Sequence, residues 1–177
     1  MSNIAIIFVL LNSLLFAEDL YNHTQTKCFK TDTIIKTIKL GNIKELEKKL
    51  DLSCNLYEKN KNEETLIFDA VRLNKKYIVP LLLSKGFNLY DINNKGQTLL
   101  HVAAKNNFYD IIDILMKNGL KDSRDNFGYL AKWYAYKQNS SESLVMIYKN
   151  EKNSSSQKID NLDEFIKNFN KNPIDEM

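Results

Sequence analysis

Two seven-residue stretches, Thr65-Leu-Ile-Phe-Asp-Ala-Val71 and Thr98-Leu-Leu-His-Val-Ala-Ala104, lie 33 residues apart and share one register. The register continues past them: Ala70 pairs with Ala103, Leu82 with Leu115, and Gly86 with Gly119. A fixed period of this length is the mark of stacked supersecondary units, none of which buries its apolar face alone. Such a chain presents a surface, and chemistry in a deep pocket is not what its pattern builds.

The unit over residues 94–125 is the clearest. Asn94-Lys-Gly-Gln-Thr98 reads as a turn into a helix, with Thr98 placed as its N-cap. Leu99, Leu100, Ala103 and Ala104 form the apolar face of a first helix. Asn106-Asn107 breaks it, and Tyr109 to Lys117 forms a second, with Ile111, Ile112, Ile114, Leu115 and Met116 buried. Gly119 then supplies a left-handed stop. The unit over 61–93 keeps Thr65, Ala70 and Gly86, departing at Phe68 and at Pro80. A more divergent unit spans 32–60 through Ile34, Ile38, Gly41, Leu46 and Leu50. The last spans 126–148, with polar Asn139 to Ser143 in place of the usual connection between helices.

Thr65, Ala70, Gly86, Thr98, His101, Ala103 and Gly119 make residues 32–148 resemble the ankyrin-repeat family. The resemblance implies an all-α ankyrin-repeat solenoid: about four helix-turn-helix repeats with short β-turn or hairpin tips. It implies binding of a protein through the tips and the concave face of the first helices, and no reaction. In the family, the histidine at the place of His101 is structural and links adjacent turns.

Residues 1–17 read as a signal peptide, with an apolar run from Ile4 to Ala17 and cleavage after Ala17. An uncleaved anchor is the alternative. Residues 18–31 form an N-terminal segment. Cys28 and Cys54 both fall in the exported part and are expected to pair; two buried free thiols are the alternative. Lys149 to Lys158 reads as a linker. Ile159, Leu162, Phe165, Ile166 and Phe169 recur at helical spacing, so 159–171 is expected to form an amphipathic helix. It either folds back on the last repeat or serves as a partner-binding tail.

One column of the repeat is basic: Lys39, Arg72, Lys105 and Lys137. The repeat register places these residues on the concave face, with Val102 and Tyr134 in the adjoining column. This ladder either fits an acidic partner or is the solvated face of a lysine-rich protein. Tyr57, Tyr90, Asp91, Arg124 and Phe127 mark the tips. No Gly-rich phosphate loop, nucleophile elbow or metal-ligand spacing occurs, so no catalytic residue, cofactor or metal is expected. A net charge of +3 gives no case for nucleic acid. The reading is an exported, monomeric binding module of the bacterial periplasm, an adaptor or an immunity protein that neutralises a partner. Its alternatives are an accessory protein for a periplasmic enzyme and a secreted, host-directed effector.

Overall fold

The computed structural model describes residues 28–53 and 55–153. The expected signal peptide, Cys54 and the 159–171 segment lie outside the described residues.

Eight helices follow in chain order among the described residues: α1 (Thr31–Leu40), α2 (Ile43–Asp51), α3 (Leu66–Arg72), α4 (Ile78–Ser84), α5 (Leu99–Lys105), α6 (Tyr109–Lys117), α7 (Ala131–Lys137) and α8 (Ser141–Asn153). Odd-numbered helices are inner and even-numbered ones outer. Inner helices pack in series, α1 on α3, α3 on α5 and α5 on α7, and each except α1 is entered from a tip. The only regular β pairing among the described residues is an isolated antiparallel bridge, Ile92 to Thr98. The fold is an all-α repeat solenoid.

Side-chain size explains the stacking. Ala70, Ala103 and Ala135 sit at the same place on α3, α5 and α7 and are fully buried. A methyl group there lets successive helices approach closely. Around them Leu66, Leu99, Leu100, Ile111, Ile112 and Leu115 are buried. Each large side chain so buried stabilises the stack by about 1.5–3 kcal/mol. Ile114 and Met116, expected inside, are only partly buried against the core. Pro80 falls in the first turn of α4, where its missing N–H has no helical partner to lose.

Every turn from an inner to an outer helix uses one left-handed residue. These are Gly41 (φ 75°), Asn74 (φ 54°), Asn107 (φ 57°) and Asn139 (φ 53°). Asparagine tolerates this region better than other side-chain-bearing residues. The polar run from Asn139 to Ser143 is therefore not a replacement for the connection. Asn139 is the ordinary turn residue, and Ser141 to Ser143 already belong to α8. Ser143 is fully buried, because its hydroxyl and amide both reach Asn107 Oδ1, at 2.8 and 3.2 Å. The expected linker is also corrected at its start: Lys149 to Asn153 continue α8.

Candidate protein-binding surface

The tips are built on one repeated device. In each, the side-chain oxygen of an Asn or Asp accepts two backbone N–H bonds, from residues two and four further on. Asn60 takes Asn62 and Glu64; Asn93 takes Lys95 and Gln97; Asp125 takes Phe127 and Tyr129. Short polar side chains that hold their own backbone in this way favour turns over helix. Backbone bonds then stitch neighbouring tips together, Asn94 N–H to the Asn62 carbonyl at 2.9 Å and Asn126 N–H to the Lys95 carbonyl at 3.0 Å. Gly96 lies in this seam. Its φ is +69°, and a Cβ there would stand 2.9 Å from the Asn126 amide nitrogen.

Behind the tips runs a polar chain across three repeats. Arg72 Nη2 donates to Glu64 Oε1 at 2.7 Å, and Asn93 Nδ2 donates to the same oxygen at 3.3 Å. Asn93 Nδ2 also reaches Gln97 Oε1, and Gln97 Nε2 donates to the Tyr134 hydroxyl at 3.0 Å. That hydroxyl donates to Asp125 Oδ2 at 2.6 Å. Burial alone would raise the Glu64 carboxyl, but bonds from Arg72, Asn93 and Asn60 outweigh it and hold its pKa below the usual value. Asp125 is likewise lowered, burial being outweighed by Tyr134 and two backbone amides. Tyr134 is pushed up to about 12 by burial and by the carboxylate it serves.

His101 belongs to this scaffold. Thr98 takes the N-cap place with extended backbone, and its N–H donates to His101 Nδ1 at 3.1 Å. Nε2 lies 3.1 Å from the Tyr129 carbonyl in the next tip. Nδ1 accepts and Nε2 faces an acceptor, so the contacts assign the ring proton to Nε2. The ring ties one repeat to the next. At the equivalent place in α3, Phe68 is fully buried, and in α7 Trp133 stacks on Tyr129 at 4.0 Å.

Helix α7 lacks a capping side chain at its entry, because Leu130 holds the place of Thr98. Asp122 reaches in from the tip instead, accepting from Ala131 N–H at 2.7 Å and Lys132 N–H at 3.2 Å. Burial raises its pKa even so.

The basic column is present, with one member spoken for. Lys39, Arg72, Lys105 and Lys137 are all exposed. Arg72 is held by Glu64 and Asp69, so much of its charge is answered internally. Lys137 lies over the Trp133 ring at 6.0 Å. Beside the column, Val102 is 9% exposed and Tyr134 has its hydroxyl engaged. Val102 therefore offers little area for contact, while Tyr134 is half-buried. A polar groove of about 360 Å³ runs between the tips and α3 and α5, lined by Arg72, Lys95, Gln97, Val102, Lys105 and Asn106.

Several tip residues also have internal work. Asp91 accepts from the Thr65 hydroxyl at 3.0 Å, and Arg124 donates to the Gly128 carbonyl at 2.6 Å. Tyr57 donates to the Lys85 carbonyl at 2.7 Å and packs on Phe87. The Tyr90 hydroxyl comes to 3.5 Å from the Cβ position of Gly119. Tyr57, Tyr90 and Phe127 nonetheless keep 55%, 62% and 64% of their surface exposed. Asp122 reads in the sequence as a tip residue, and neither its hold on the start of α7 nor the pairing of Glu64 with Arg72 shows there. The sign available for Asp122 was the missing Thr at Leu130.

A family profile described as ankyrin repeats (3 copies) matches residues 10–126 and 69–158. A search of curated proteins finds no match to the chain.

Proposed function

The chain belongs to the ankyrin-repeat family, and from that premise we propose an exported module of the bacterial periplasm that recognises one partner protein. The family's repeats indicate protein–protein interaction. The reading is supported by the hydrogen-bonded polar chain that runs from Arg72 to Asp125, together with the exposed basic column of Lys39, Lys105 and Lys137. A surface fixed before binding loses little conformational freedom on association. Its lysines suit a partner with an acidic patch, which they would steer and orient. Within this reading, an adaptor or an immunity protein that neutralises its partner is the version put forward. An accessory role to a periplasmic enzyme and a host-directed effector are its alternatives.

The test is affinity purification from the native envelope fraction, with Lys105→Glu/Lys137→Glu as the control. Arg72 is unsuited to this control, because its loss would strand the buried Glu64 carboxylate. A single stoichiometric partner lost in the control supports an epitope on the concave face. A partner retained by the control moves the epitope to the tips. Absence of any envelope partner, with the protein recovered outside the cell, would replace this reading with the effector one.

A further inference from the structure

The edge opposite the tips, made of the four turns from inner to outer helices, has its own chemistry. Four large apolar side chains stand out along it: Leu40 at 72% exposed, Ile43 at 39%, Tyr77 at 72% and Tyr109 at 43%. They sit in the first three turns, one repeat beside the next. Lysines surround them. The first turn holds Lys39 and Lys44; the second Arg72, Lys75 and Lys76. The third sets Lys105 against Asp110, and the fourth Lys137 against Glu142. Seven basic and two acidic residues leave +5 on this edge, against +3 for the whole chain. Even with Arg72 set aside as Glu64's partner, +4 remains. By contrast, residues 55–64, 88–97 and 120–129 at the tips hold five basic and six acidic residues, or −1.

Contacts bind the edge into one patch. Lys76 pairs with Asp110 at 2.8 Å and lies over the Tyr77 ring at 5.5 Å. Lys75 Nζ comes to 3.7 Å from the Cβ position of Gly41, in the neighbouring turn. An open cleft of about 350 Å³ separates Ile43 from Tyr77.

We propose that this edge is a docking surface for an anionic phospholipid membrane, with Leu40, Ile43, Tyr77 and Tyr109 entering the headgroup layer and the lysines pairing with phosphates. The apolar groups stand exposed on three successive turns of one edge. Tyrosine suits the boundary between water and acyl chains, and lysine stems lie along apolar surface while their heads stay wet. Clustered lysines add attraction to anionic lipid. A second copy of the chain fits poorly, since pairing this edge with itself would oppose like charges. This placement leaves the tips clear for a protein, while Lys39, Lys105 and Lys137 are shared with the basic column of the proposed protein-binding face.

The experiment is co-sedimentation of the full chain with phosphatidylcholine vesicles, with and without phosphatidylglycerol, and hydrogen exchange on the bound sample. Binding that needs phosphatidylglycerol, with new protection at 39–44, 72–77 and 105–110, is expected. Lys75→Glu/Lys76→Glu should weaken it about tenfold or more, and Tyr77→Asp should weaken it also. Both variants alter exposed or half-exposed side chains, and an unchanged melting temperature confirms that they fold. Equal binding to neutral vesicles overturns the proposal. So does protection confined to the tips or to residues before Cys28. Capture of an acidic protein through Tyr77, with vesicles ignored, also overturns it and makes the edge a protein-docking face.

Discussion

The Tyr57 hydroxyl crosses from one repeat to the next and donates to the Lys85 carbonyl at 2.7 Å, directly beside Gly86. A Cβ on Gly86 would stand 3.1 Å from that hydroxyl, and its φ is +89°. The glycine thus serves two ends, a left-handed helix stop and a seat for its neighbour's tyrosine. Gly86→Ala is expected to destabilise the fold by about 1–3 kcal/mol. Tyr57→Phe removes only the hydrogen bond and is expected to cost about 1 kcal/mol. In Tyr57→Phe the crowding oxygen is gone, so adding Gly86→Ala should then cost less than it does alone. A double-mutant cycle by urea denaturation checks this; strict additivity would refute the shared seat.

Gly96 and Gly128 hold the same place in successive tips, with φ of +69° and +83°, yet differ in surroundings. An added Cβ at Gly96 meets the Asn126 side chain and backbone; at Gly128 it meets nothing within 4 Å. Gly128→Ala should therefore show the dihedral cost alone, about 1 kcal/mol. Gly96→Ala adds a clash in the seam between tips and should cost about 2 kcal/mol or more. Equal losses of stability for the two variants would show that the seam gives way freely.

Why the fold was legible and part of its surface was not follows from these residues. Ala70, Ala103 and Gly119 repeat because packing and backbone conformation permit little else, so a period in sequence became a period in space. Arg72 fell in the right column, but the column could not reveal that Glu64, eight residues earlier, would claim it. Polar pairing across repeats depends on side-chain reach, which leaves no periodic trace. Val102 shows the same limit: its register put it on the concave face, while its neighbours cover nearly all of it. Leu40, Ile43, Tyr77 and Tyr109 escaped notice because no one column holds them all. They share an edge only once each turn is folded.

Glu64 is expected to contribute to the loss of stability in acid. Its pKa is lowered on folding, so its contribution is complete above the unfolded value near 4.5 and is lost as pH falls through the folded one. Asp125, lowered in the same way, acts in the same direction. Asp69 and Asp122 are raised by burial and act oppositely, their contribution falling as pH rises above the unfolded value near 3.8. Glu64→Gln isolates the first effect, and Gln97 already fills the equivalent place one repeat on. The stability gap between wild type and Glu64→Gln should be widest at neutral pH and should narrow below about pH 4.5. A gap independent of pH between 7 and 3 would mean that Arg72 holds the glutamate by geometry and not by charge.

The Phe29 amide lies 3.4 Å from the Leu52 carbonyl, which brings Cys28 beside the chain two residues short of Cys54. That approach supports the expected pairing of the two cysteines. The bridge would close the loop around α1 and α2, the repeat whose sequence departs furthest from the pattern. A loop of this length gives about 3 kcal/mol in the chain-entropy account. Intact mass of the unreduced protein should fall about two mass units below the reduced form. Reduction should then lower the melting temperature, and hydrogen exchange should rise first in α1 and α2 while α5 to α7 stay protected. Two alkylatable thiols in protein taken from the envelope fraction would rule the bridge out. The first repeat would then rest on Ile34, Ile38, Leu46 and Leu50 alone.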